Sequence, residues 1–101
     1  MTILIKDTTS ARAVSSSSLP FKVTHGEIAV LRSTNLDGSA VVTLYYDAPD
    51  ESIGHPATFD DQTVVTLTPV NPERLINVPG IYRVAVTSAS TTQGIVFVIV
   101  R

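Results

Sequence analysis

The sequence predicts an all-β protein, an antiparallel β-sandwich of about seven or eight short strands in an Ig-like or jelly-roll-like arrangement. Val, Ile and Thr, the β-branched residues that favour strands, together make up 35 of the 101 residues. No window of about 11 residues shows the apolar periodicity of an amphipathic helix. Instead, short apolar runs alternate with turn residues at regular spacing, which is typical of sandwiches and small barrels.

The N-terminal region divides into a strand and an arm. The apolar run at 2–5 predicts a first strand, whereas 7–18 is small and polar and ends in four consecutive serines. Such a composition is typical of a flexible linker. We therefore predict that residues 1–18 hold a strand and a flexible Ser-rich arm, and that residues 19–101 form the sandwich domain.

Seven further runs rich in β-branched and apolar residues follow, separated by turn chemistry. They cover residues 19–24, 27–32, 40–46, 62–68, 74–78, 81–88 and 95–101. Gly26 and Gly38 supply turns on either side of the second of these runs. Pro79 and Gly80 predict a hairpin between 74–78 and 81–88, since proline fixes φ and glycine tolerates positive φ.

The last predicted strand contains six consecutive apolar residues, at 95–100. A strand that is apolar on both faces must be covered on both. Either a loop or the N-terminal arm covers its outer side, or another subunit does. We predict a homo-oligomer, with a trimer favoured. The predicted contact residues are Arg12 and Val14 in the arm and Ile95, Phe97 and Ile99 in the last strand.

Composition excludes several classes of protein. The seven basic residues are scattered and the net charge is -2, so nucleic acid is not an expected ligand. No apolar stretch approaches the ~18 residues of a membrane-spanning helix. The absence of cysteine excludes disulfides and thiolate metal sites. Because the first residues lack the pattern of a secretory signal, we expect synthesis in a cytoplasm.

The irregular stretch 47–61 concentrates five of the nine acidic residues. Calcium takes six to eight oxygen ligands, so these carboxylates are weak calcium candidates. They are Asp47, Asp50, Glu51, Asp60 and Asp61. Their order lacks the alternation and the final glutamate of an EF-hand loop, and a solvated loop is the preferred interpretation. We predict no bound metal and no cofactor.

An enzyme is not expected. His25 and His55 lie in no catalytic motif, and no Gly-x-Ser-x-Gly elbow is present. A glycosidase would need two carboxylates from 47–61 facing an aromatic-lined cleft, but the chain has few aromatic residues and no tryptophan. The alternative to a structural role is a carbohydrate-binding or adhesive module that uses the loops at 33–39, 47–61 and 88–94.

Three segments carry a resemblance to a known class of protein. They are Phe21-Lys22-Val23 before 27–31, Asn35-Leu36-Asp37-Gly38 before Val41–Tyr46, and Val78-Pro79-Gly80-Ile81-Tyr82-Arg83-Val84. Across 19–101 the chain resembles the small structural proteins of tailed bacteriophage virions, namely head-decoration (cement) proteins and fibre or spike-base domains. The resemblance implies a non-enzymatic virion component that oligomerises, binds other virion proteins of the capsid or tail, and stabilises that surface.

Overall fold

The computed structural model describes residues 1–9, 20–47, 55–59 and 63–101. Within these residues all regular structure is β-strand, and no helix is present that is long and apolar enough to cross a membrane. The nine strands of the described part are β1 (Thr2–Ile5), β2 (Phe21–Val23), β3 (Ala29–Ser33), β4 (Val41–Tyr46), β5 (His55–Pro56), β6 (Thr66–Leu67), β7 (Glu73–Ile76), β8 (Gly80–Ser88) and β9 (Val96–Val100). The predicted all-β fold class is confirmed.

The strands form two antiparallel sheets that pack together as a sandwich. The first sheet has the order β1-β9-β3-β7, and the second has the order β2-β8-β4-β5, with β6 also pairing with β4. The pairs are nested along the chain: β1 with β9, β2 with β8, β3 with β7, and β4 with β5 and β6. Nested antiparallel pairs divided between two sheets are the topology of a double-sheet jelly roll. Of the two predicted arrangements, the jelly roll therefore describes this chain.

The core lies between the inner faces of the two sheets. Val42 lies opposite Val86 and Leu44 opposite Val84 in the second sheet, and all four side chains are buried. Val98 of the first sheet is buried in the same core. Successive side chains of a strand point to opposite faces. The residues that lie between these buried ones therefore point to the outer faces of the sandwich.

The predicted hairpin around Pro79 and Gly80 is wrong. Strand β7 pairs with β3 in the first sheet, whereas β8 pairs with β2 and β4 in the second. The connection between them therefore crosses from one sheet to the other. A proline and glycine turn reverses the chain equally well within a sheet or between sheets, so local turn chemistry does not distinguish the two cases.

The N-terminal strand is an integral part of the sandwich. Strand β1 pairs with β9 along the edge of the first sheet, and it buries Leu4 and Ile5 in the core. Thr8 is also fully buried, and its hydroxyl accepts a hydrogen bond from the Gly94 N–H at 2.9 Å. The predicted flexible arm 7–18 is therefore packed against the sandwich at Thr8. The rest of it, 10–18, lies outside the described residues, and its flexibility stays a prediction.

Candidate interaction surface

The outer face of the first sheet is largely apolar, and its composition follows from the register of the strands. Phe97 of β9 lies opposite Ile3 of β1, and Ile99 lies opposite Val30 of β3. Val30 in turn lies opposite Leu75 of β7. Cross-strand partners point to the same side of a sheet. These five side chains therefore form one continuous surface across all four strands.

Ile28 extends this surface beyond the end of β3. Its backbone exchanges two hydrogen bonds with Arg101, each of 2.9 Å, which continues the ladder between β3 and β9 by one pair. Because Ile28 precedes Val30 by two residues, it lies on the same side of the sheet. We call the six residues Ile3, Ile28, Val30, Leu75, Phe97 and Ile99 the apolar face.

The apolar face is exposed to solvent to an unusual degree for large aliphatic residues. Leu75 is 64% exposed, Ile28 48% and Ile3 39%, while Val30, Phe97 and Ile99 are half-buried. Single exposed apolar residues are common on protein surfaces, whereas the largest contiguous apolar patch of a monomer is often functional. The last strand is thus covered by the core at Val96 and Val98 on its inner side and only partly covered on its outer side.

One ion pair borders the apolar face. Arg32 of β3 lies opposite Glu73 of β7. This pair is two residues along the strands from the pair Val30 and Leu75. The Arg32 Nε lies 3.8 Å from the Glu73 Oε2, and the two side chains are 56% and 49% exposed. A solvent-exposed pair at this distance contributes little to folding.

The outer face of the second sheet differs because it carries polar side chains that pair with one another, beside the exposed Ile81. The Arg83 Nε donates a hydrogen bond of 2.6 Å to the Asp47 Oδ1, and both side chains are mostly buried. The Thr43 and Thr87 hydroxyl oxygens lie 3.0 Å apart on the same sheet. Polar side chains that bond to one another in this way do not favour association by apolar burial.

A dense hydrogen-bond network joins the two loops at one end of the sandwich. The Asp37 Oδ1 accepts hydrogen bonds of 2.7 Å from both the Ser90 hydroxyl and the Thr91 N–H. The Asp37 Oδ2 accepts a further bond from the Thr91 hydroxyl. The Thr92 hydroxyl donates to the Asn35 carbonyl oxygen. We call Asn35, Asp37, Ser90, Thr91 and Thr92 the Asp37 network.

The polar groups of the Asp37 network form hydrogen bonds with one another. Its hydrogen bonds, first from the Thr91 hydroxyl and then from Ser90, lower the pKa of Asp37 to about 2. Among the described residues, no buried side-chain nitrogen or oxygen lacks a hydrogen-bond partner. The network therefore fastens two loops together, and we interpret it as a structural feature.

The pKa of Asp37 predicts an acid-sensitive contribution to stability. Its folded value of about 2 lies below the unfolded value of about 3.9. The stabilisation is therefore complete above the unfolded pKa and is lost as the pH falls through the folded pKa. We expect Asp37→Asn to lower the thermal midpoint clearly at about pH 6 and much less at about pH 2.

Thermal melts followed by circular dichroism test this expectation. Glu73→Gln is the control, because removing one partner of an exposed ion pair changes stability little. An Asp37→Asn effect of equal size at both pH values would contradict the assignment.

Of the three loops of the predicted carbohydrate-binding module, 33–39 and 88–94 lie together, and 47–61 is described only at Asp47 and at 55–59. The Asp37 network joins 33–39 to 88–94, next to the end of the second sheet where Val41 lies opposite Ser88. Asp47 follows the other end of β4, where its N–H donates to the Ile81 carbonyl oxygen at 2.8 Å. The first residue of 47–61 thus lies a full strand length from the other two loops.

Some of the predicted contact and calcium residues lie in the described part of the chain, and the others lie outside it. Ile95, Phe97 and Ile99 alternate with the buried Val96 and Val98, which places them on the outer side of the first sheet. The Asp47 Oδ1 accepts the hydrogen bond of the Arg83 Nε. In the part of the chain that the structure describes, no group of three or more potential metal ligands is present. Arg12, Val14, Asp50, Glu51, Asp60 and Asp61 lie outside the described residues.

Of the apolar face, the sequence predicts Phe97 and Ile99 as contact residues and misses Ile3, Ile28, Val30 and Leu75. The alternation at 28–31 does place Ile28 and Val30 on one side of a strand. By contrast, Ile3 and Leu75 join that surface only because β1 pairs with β9 and β7 pairs with β3. No protein-family model, curated protein or solved structure matches this chain.

Proposed function

We propose that this chain is a non-enzymatic structural protein of a virion, which self-associates and docks on a capsid or tail surface to stabilise it. The observation that carries the proposal is the apolar face. Its three most exposed members, Ile3, Ile28 and Leu75, present large aliphatic side chains to water. Removing that area from water favours association, and the face needs no ligand or cofactor to do so.

The size of the apolar face indicates how such a protein would act. Four strands about 4.8 Å apart and five residues of about 3.4 Å each give the whole outer face of the first sheet a projected area of roughly 300 Å², which includes the positions of Arg32 and Glu73 as well as the apolar face. A standard stable interface buries about 800 Å² on each partner. Contact through this face alone is therefore weak for a single pair. Many copies bound to one repeating surface would gain their strength from avidity.

The virion location rests on the resemblance of 19–101 to small phage structural proteins, and the fold agrees with it. Double-sheet jelly rolls occur in viral capsid domains as well as in lectins. Since one fold serves many functions, the fold alone does not decide between them. The apolar face favours assembly, because a sugar-binding site presents polar groups around a concave site.

Self-association through the apolar face is tested by replacing its most exposed residue. We expect Leu75→Lys to weaken association at least about tenfold, because the interface would have to desolvate a charge. The fold should be unaffected, since Leu75 is 64% exposed. The measurement is mass by light scattering over a concentration series that extends to about 1 mM, the range in which contacts of this size associate.

Val70→Lys is the matched control. Val70 is 85% exposed and lies between β6 of the second sheet and β7 of the first, outside the apolar face. It tests whether an added lysine by itself reduces association. Equal weakening by both variants, or a wild-type chain that stays monomeric throughout, would refute the proposal.

A further inference from the structure

We propose that the β3–β7 half of the apolar face binds a second copy of this chain about a two-fold axis that runs parallel to these strands. This inference rests on the proposed function and deepens it, since it names the partner and the symmetry. The residues that carry it are two neighbouring rows of register partners, Arg32 with Glu73 and Val30 with Leu75.

The geometry of these four residues is self-complementary. The two-fold axis lies between β3 and β7, so β3 of one copy lies over β7 of the other. Each residue of β3 then faces, in the other copy, the β7 residue that is its register partner within one chain. Arg32 then meets Glu73 of the second copy, and Val30 meets Leu75. Every contact occurs twice, as an isologous interface requires. Charge meets opposite charge, and apolar side chain meets apolar side chain.

The charged row, Arg32 with Glu73, is exposed enough to contact a second copy. Arg32 and Glu73 are each about half exposed, and their 3.8 Å separation within one chain is longer than a hydrogen bond. A guanidinium has five N–H donors, so Arg32 can bond to a carboxylate of a second copy. Partial exclusion of water at the interface would strengthen that bond relative to the exposed pair.

A second copy fits this surface better than a partner of one charge sign. The row contains one cation and one anion side by side, so a uniformly acidic or basic partner would meet one favourable and one unfavourable charge. The sequence favours a trimer, whose contacts are heterologous. The two rows of register partners favour a two-fold contact instead. A second copy turned about that axis places opposite charges together and apolar side chains together.

Charge reversal in separate chains tests the pairing. Arg32→Glu makes the row wholly acidic, and Glu73→Arg makes it wholly basic. We expect each variant alone to associate at least about tenfold more weakly than wild type, because like charges would face each other across the axis. An equimolar mixture of the two should regain association at the wild-type level, since every contact between unlike copies then joins opposite charges. The measurement is sedimentation equilibrium up to about 1 mM, with native mass spectrometry to identify the mixed dimer.

The mixture controls for damage to the fold, because both variants lose the same ion pair within the chain. A mixture that fails to associate, or a wild-type mass that indicates a trimer, would overturn the two-fold pairing. If Leu75→Lys still weakened association in that case, the proposed assembly function would stand. A wild-type chain that is monomeric at every concentration would overturn both.

Discussion

Gly94→Ala is expected to destabilise the protein by more than about 4 kcal/mol, a loss that single substitutions rarely cause. A Cβ at position 94 would lie 1.8 Å from the Thr34 carbonyl oxygen and 2.9 Å from the Thr34 carbonyl carbon. Both contacts are with backbone, which has no flexible end that could move aside. The methyl group can therefore be accommodated only by separating the two chain segments.

Separating the segments would break the hydrogen bonds that hold them together. The Thr34 N–H donates to the Ile95 carbonyl oxygen at 3.0 Å, and the Ile95 N–H donates to the Thr34 hydroxyl at 3.2 Å. The Gly94 N–H is bonded to the buried Thr8 hydroxyl. The expected loss is a large part of the roughly 5–15 kcal/mol that stabilises a typical domain.

Urea denaturation measures this effect, and Gly38→Ala is its matched control. Gly38 has a φ of 62°, but a Cβ there would meet no atom within 4 Å. Alanine at position 38 should therefore cost only the strain of a left-handed residue, about 1–2 kcal/mol. Similar losses for the two variants would show that close approach of the backbone at Gly94 is not the cause.

Gly94 illustrates what the sequence leaves out. Within the chain it ends a polar loop, and nothing in its neighbours distinguishes it from an ordinary turn glycine. Its role arises because Thr34, sixty residues earlier, approaches it at the end of the β3·β9 ladder. Asp37 is a similar case, since its turn with Gly38 is predicted but its bonds to Ser90 and Thr91 come from a distant loop.

The sequence predicts which segments are strands, and which face of a strand a side chain occupies, better than it predicts which strands pair. The bounds of β1 and the alternation in β3 follow from local pattern, because side chains of one strand alternate by geometry alone. Which strands become neighbours depends on contacts far apart in the chain, such as β1 with β9. For this reason the apolar outer side of the last strand was predicted, whereas its extension to Ile3 and Leu75 was not.

Tyr82→Ala is expected to cost about 3–5 kcal/mol, the usual loss when a large buried aromatic side chain is truncated. Tyr82 is fully buried in β8, and its ring centroid lies 5.7 Å from those of Phe21 and Tyr46 and 6.0 Å from that of Phe59. Removing the ring would leave a cavity among three other aromatic side chains. The measurement is the free energy of unfolding in urea.

Tyr82→Phe separates the ring from its hydroxyl. The hydroxyl donates a 2.6 Å hydrogen bond to the Val78 carbonyl oxygen in the connection that leads from β7 to β8. Losing this bond while keeping the ring should cost about 1 kcal/mol. Because the apolar face belongs to the other sheet, Tyr82→Phe should also associate as wild type does. A loss as large as that of Tyr82→Ala would mean that the hydroxyl, by fixing the crossing between the sheets, stabilises the jelly roll more than the aromatic packing does.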